Sequence, residues 1–175
     1  VVALDPRNGE VLAMVSRPAY DPNRFAGRIR AADWKEIMSN PDKPMINRAI
    51  QAQLAPGSTF KPFVAMAALE DSSIDEHTHA VCRGSAVYYD RPTKCHLAKG
   101  HGSVDLKRAL AQSCDIFFYQ VGGGFEDFDG LGIERLGTYA RAFGLGERTG
   151  IALPGESAGL VPDDHWKRVN YGESW

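Results

Sequence analysis

The segment Ala55-Pro56-Gly57-Ser58-Thr59-Phe60-Lys61-Pro62-Phe63-Val64-Ala65-Met66-Ala67-Ala68-Leu69 decides the reading of this chain. Pro56-Gly57 breaks whatever precedes it, Pro62 is tolerated in a first helical turn, and Phe63–Leu69 is helix-favouring and nearly all apolar. A helix apolar on every side is a buried one, so the sequence predicts a central helix beginning near Ser58. Residues three apart on a helix share a face, which brings the Lys61 amine toward the Ser58 hydroxyl. A serine hydroxyl is a poor nucleophile without a base beside it, and a buried lysine can be that base. A helix N-terminus also offers N–H groups to an oxyanion formed at Ser58.

Outward from this helix, Val1–Leu4 and Val11–Val15 are apolar runs joined by Asp5-Pro6-Arg7-Asn8-Gly9, which predicts a β-hairpin with strands covered on both faces. Residues 17–47 are irregular, with one helical candidate over Ala31–Met38. Residues 71–102 are polar and predict a long functional loop or small subregion. Ser103 can cap a helix over Asp105–Gln112, and Ile116–Val121 is a further apolar segment ended by Gly122-Gly123-Gly124. A helix follows over Ile133–Phe143 with Gly144 as its stop, then a short strand over Thr149–Leu153 and a Pro154-Gly155 turn. Strands first and helices after predict an α+β domain, with helices packed on an antiparallel sheet. Later strands of that sheet are expected outside this sequence, and the chain reads as an internal fragment.

The 175 residues are 43% hydrophobic and 24% charged, which is globular composition and excludes a disordered polymer. Twenty basic against twenty-two acidic residues give no electrostatic reason to expect a nucleic-acid partner. Apolar runs are far shorter than the roughly 20 residues of a membrane-spanning helix.

Ser58-Thr59-Phe60-Lys61 has a companion 55 residues on, Ser113-Cys114-Asp115, between two helical segments. Ser-x-x-Lys, Ser-Asp-Asn and Lys-Thr-Gly form one set in penicillin-binding proteins and class A β-lactamases. Together with Leu4-Asp5-Pro6, Asn8-Gly9-Glu10-Val11-Leu12-Ala13-Met14, Tyr20-Asp21-Pro22-Asn23, Gly100-His101-Gly102, Phe117-Phe118-Tyr119 and Leu153-Pro154-Gly155-Glu156, these residues make the chain resemble the class B penicillin-binding proteins. The likeness is greatest to their elongation-specific branch.

The resemblance implies a β-lactamase/transpeptidase-like fold, with residues 1–175 forming part of a penicillin-binding transpeptidase domain. It implies a D,D-transpeptidase whose Ser58 is acylated by D-Ala-D-Ala stem peptides of peptidoglycan and by β-lactam antibiotics, in cell-wall elongation and cell shape. Lys61 would take the Ser58 proton, Ser113 would relay a proton to or from the leaving and attacking amines, and Asp115, where most relatives carry Asn, would orient Lys61 and the substrate backbone. The Lys-Thr-Gly motif is expected outside this sequence, so the fragment alone is expected to be inactive. Implied partners are a polytopic glycan polymerase and elongation-complex proteins. The implied location is the periplasmic face of the bacterial inner membrane, through an anchor outside this chain. A class D-like serine β-lactamase or a β-lactam-binding sensor shares the opening motif and is the competing reading. Glu156, the one carboxylate in a suggestive turn, reads more simply as part of that turn.

Catalysis requires no cofactor on this reading, but Cys82, Cys95, His101 and Cys114 supply three thiolates and one imidazole, a complete set for a structural zinc. A Cys82–Cys95 disulfide is the alternative, and His96 is an alternative ligand. His77 and His79 read as exposed loop residues. Tyr88-Tyr89 and Phe117-Phe118-Tyr119 read as core.

Overall fold

In a computed structural model, which describes residues 1–125 and 128–175, the chain divides into two units: residues 1–54 with 148–158, and residues 55–147 with 159–175.

In the first unit β1 (Val2–Leu4) pairs antiparallel with β2 (Val11–Met14). The turn between them closes through Asp5 N–H to Glu10 O and Gly9 N–H to Asp5 O, each at 2.8 Å. The Asp5 carboxylate accepts from the backbone N–H and guanidinium of Arg7 and is itself buried. The expectation of strands covered on both faces is not met within this chain. Among the described residues the ladder has two strands, and Val2, Leu4, Val11 and Leu12 are exposed. Beyond it lie α1 (Ala31–Ser39), as the sequence predicts, and the single turn α2 (Arg48–Gln51), capped by Asn47. The predicted strand at 149–153 is absent. Thr149 gives its N–H and hydroxyl to Glu156, and Leu153 N–H turns back to Ile151 O, so these groups serve local turns.

The second unit holds the core. α3 (Lys61–Glu70) packs its small face, with Ala65, Ala67 and Ala68 buried, against helices later in the chain. Residues 71–102 are no bare loop. They contain β3 (His79–Cys82), β4 (Ser85–Tyr88) and β5 (Arg91–Lys94), and β6 (Gly102–Asp105) follows. β3 pairs with β6 and β4 with β5, both antiparallel. The β4–β5 turn is made by Tyr89 and Asp90, both at positive φ (48° and 61°). Gly84 and Gly100 lie where backbone meets backbone: a Cβ on Gly84 would strike Ala98 O, and one on Gly100 would strike Cys82 O. Side chains are therefore excluded at both places.

α4 (Leu106–Ala111) is capped by Asp105, whose carboxylate accepts from Arg108 N–H at 2.7 Å. The predicted cap, Ser103, lies instead within β6. α5 (Asp115–Gly123) buries Ile116, Phe117, Phe118 and Val121, and α6 (Gly132–Ala142) packs on both α3 and α5. Arg135 ties α6 to the end of α3 through a 2.7 Å bond to Asp71. The final helix, α7 (Asp164–Tyr171), was not expected from the sequence; Asp163 caps it by accepting from Trp166 N–H at 2.8 Å. Among the described residues no helix is long and apolar enough to cross a membrane.

Candidate active site and cysteine cluster

Ser58 does not start the α-helix. It lies in a 3₁₀ turn, Gly57–Phe60, and α3 begins at Lys61, whose N–H bonds back to Ser58 O. The tighter turn eclipses positions i and i+3, so Ser58 and Lys61 still share one face. Ser113 stands at the entry to α5 with φ +51°, a conformation that turns its carbonyl and hydroxyl together toward Lys61. The Lys61 ammonium donates to Ser113 O at 2.7 Å, Ser113 Oγ at 2.9 Å and Asp115 Oδ1 at 2.6 Å. Ser113 Oγ in turn donates to Ser58 Oγ at 3.0 Å. All four sequence-predicted residues therefore form one hydrogen-bonded chain, with Ser113 standing between the lysine and the serine.

The Lys61 side chain is only 11% exposed and packs near the Phe118 ring. Burial pushes the Asp115 carboxyl up, but its bonds to Lys61 and to the His96 N–H, with the charge of Lys61, outweigh burial and hold it below its ordinary value. Asp115 is also the first residue of α5, where the helix dipole favours a negative charge. The arrangement can pass a proton between Ser58 and Lys61 through one intervening hydroxyl, the geometry acid–base chemistry requires.

On the other side of Ser113-Cys114-Asp115, Cys82, Cys95, His101 and Cys114 each bring one ligand atom, all within 4.8 Å of one another. The strands that the sequence left unread deliver them. Cys82 ends β3, Cys95 directly follows β5, and His101 directly precedes Gly102, the β6 residue paired with Cys82. All three cysteines are buried free thiols, so the disulfide alternative is not what the structure shows.

Cys95 Sγ lies 3.5 Å from His101 Nδ1. A tetrahedral zinc with its usual bonds to sulfur and nitrogen spaces two such ligands by about 3.6 Å. At Cys82 burial works to raise the thiol, but backbone N–H groups of His101 and Gly84 and the neighbouring thiols lower it below its ordinary value. At Cys114 burial, then the neighbouring sulfurs, push the thiol up to about 12. A divalent cation would remove that conflict, since it binds thiolates and cancels their repulsion. The residues therefore fit a structural zinc. His96, the alternative ligand, belongs to a second grouping with Cys95 and Asp115.

The remaining candidates are accounted for. Glu156 is held by Thr149, whose side-chain and backbone bonds lower its carboxyl below its ordinary value. His77 and His79 are not buried. Tyr88, Phe117 and Phe118 are core as read, whereas Tyr119 and Tyr89 are exposed, and Tyr89 donates its hydroxyl to Gly123 O at 2.8 Å. Sequence reasoning missed the place of His96 beside Asp115; its position immediately after a candidate ligand was the available signal.

The family model for the penicillin binding protein transpeptidase domain matches residues 1–174. The chain belongs to that family. Over its whole length it is 37% identical to the peptidoglycan D,D-transpeptidase MrdA of Acinetobacter baumannii, of which it spans 25%. Among solved structures it resembles Pseudomonas aeruginosa PBP2 in complex with WCK 5153, at 35% identity and TM-score 0.86, covering 99% of this chain and 39% of that one. It also resembles Helicobacter pylori PBP2 from a complex with MreC, at 32% identity and TM-score 0.88, covering 99% and 32%. The α+β transpeptidase fold read from the sequence is the observed one. The chain spans about a quarter of the length of this curated relative.

Proposed function

We propose that this chain carries the nucleophile side of a peptidoglycan D,D-transpeptidase active site that acts in cell-wall elongation and is acylated by β-lactams. The carrying observation is the bonded series Asp115–Lys61–Ser113–Ser58. Lys61 with all three protons donated can accept none; its neutral amine can. In that state Ser58 Oγ attacks the carbonyl of the D-Ala-D-Ala amide, and the Ser58 proton passes through Ser113 to Lys61. The C–N bond breaks, the departing D-alanine amine takes a proton back by the same route, and an acyl-ester on Ser58 remains. An acceptor amine from a second stem peptide attacks the ester and gives up a proton along the same series, and Ser58 recovers its hydroxyl. Asp115 holds Lys61 in reach of Ser113 throughout.

In this reading the protein works at the periplasmic face of the inner membrane, held by an anchor outside this chain, with a glycan polymerase and elongation proteins as partners. The likeness to a PBP2 from a complex with MreC supports that assignment. Cys82, Cys95, His101 and Cys114 would hold a zinc ion as a structural group, which would tie the β3–β6 region to the start of α5 without touching the reacting atoms.

The test uses full-length protein, because the Lys-Thr-Gly strand implied by the family is not among these residues. Wild type is expected to be labelled by a fluorescent penicillin and to release D-alanine from a stem-peptide donor, and Ser58→Ala to do neither. Labelling without D-alanine release would point to a sensor. One zinc per chain in fully reduced protein is expected by elemental analysis.

A further inference from the structure

Two of the four proposed zinc ligands are each followed in sequence by a residue on the active-site side. Cys95 is followed by His96, Cys114 by Asp115, and these two successors meet. The His96 N–H donates to Asp115 Oδ2 at 3.1 Å, and His96 Nδ1 lies 3.6 Å from the same oxygen. The other carboxylate oxygen accepts from Lys61 at 2.6 Å. The carboxylate is therefore held from both sides, by a lysine that touches Ser113 and by a peptide group anchored next to a cluster sulfur.

We propose that His96 is a positioning residue: its backbone N–H, fixed by Cys95 in the cluster, sets the Asp115 carboxylate and through it the Lys61 amine. This inference rests on the zinc reading above. A hydrogen bond from N–H to an ionised carboxylate is directional, whereas the His96 ring is 55% exposed and its contact is screened by water. The main chain is therefore the coupling element. Proton transfer through Ser113 tolerates little displacement of the amine, so a carboxylate free to rotate would slow acylation while leaving the acyl donor's binding surface alone.

The experiment compares His96→Ala, which keeps the N–H, with His96→Pro, which removes it. Both are made in the full-length protein and loaded with zinc. Zinc content, thermal unfolding, and the affinity and first-order acylation constant for a fluorescent penicillin are measured for each. The alanine variant is expected to lose about fivefold at most in the acylation constant, the scale of one exposed charge contact. Proline is expected to lose about 10–100-fold, the scale of one hydrogen bond to a charged group, with penicillin affinity and zinc content unchanged.

A second measurement replaces zinc by cadmium, a larger ion that also prefers thiolates, in the wild-type chain. The acylation constant is expected to change by about threefold or more, with penicillin affinity unchanged. Equal constants for the alanine and proline variants, with zinc bound in both, overturn the proposal alone. If the proline chain does not fold, the metal exchange decides: a changed constant supports the coupling, and equal constants overturn it. A wild-type protein that holds no metal overturns this proposal and the zinc reading together.

Discussion

Ser113 and Asp115 are separated by one residue, and the two sides of that residue are chemically opposite. On the side of Ser58 and Lys61 each polar group is answered by another: ammonium by carboxylate, carbonyl and hydroxyl, hydroxyl by hydroxyl. On the side of Cys114 the groups compete, since burial and neighbouring sulfurs push that thiol up to about 12. The difference teaches that the first side can assemble from its own side chains, whereas the second invites a cation to reconcile its ligands. The first side should therefore set rate directly, and the second should set stability and reach rate only through Asp115.

The strongest way to break this division is at Ser58. Ser58→Ala is expected to abolish penicillin labelling completely while leaving the thermal midpoint and zinc content unchanged; a fall in the midpoint would show that the reactive side also carries the fold. Cys114→Ser is expected to act first on the fold and to slow acylation only through the Asp115 contact. It should remove bound zinc and lower domain stability by several kcal/mol, as loss of a buried metal ligand does, and calorimetry with and without a chelator reads it. Wild type unaffected by the chelator would merge the two sides again. Asp115 sharpens the boundary, because it faces Lys61 while following Cys114 in the chain. Asp115→Ala is expected to slow acylation by about 100-fold and Asp115→Asn, which keeps an acceptor for the His96 N–H, by about tenfold or less, measured as the acylation constant. The smallest effect lies away from both sides: Asp163→Ala removes the α7 cap and should cost about 1 kcal/mol in denaturant unfolding, with acylation unchanged.

How much of this was legible in the sequence follows the range of the interactions. α1, α5 and α6 could be read because apolar segments and glycine stops are local signals. Ser58 and Lys61 could be read because three positions fix a shared face, although the turn proved to be 3₁₀. β3 to β6 could not be read. Their pairing joins residues up to about 26 positions apart, as His79 with Asp105, and strands of four residues such as Arg91–Lys94 carry no apolar alternation. The Cys/His cluster was nevertheless named from chemistry alone, because three cysteines and a histidine make a complete tetrahedral donor set wherever the chain carries them. Ser113 as the intermediary between lysine and serine was hidden for another reason: it depends on a backbone angle that no residue pattern announces. The α7 cap was visible in principle, since Asp163 stands three residues before Trp166.

That angle has a thermodynamic consequence. A serine held at φ +51° pays about 1–2 kcal/mol that glycine would not. Ser113→Gly is therefore expected to yield a chain more robust to heat than Ser113→Ala, yet equally poor at acyl transfer. The hydroxyl at this position therefore comes at a cost in durability that only its chemistry offsets.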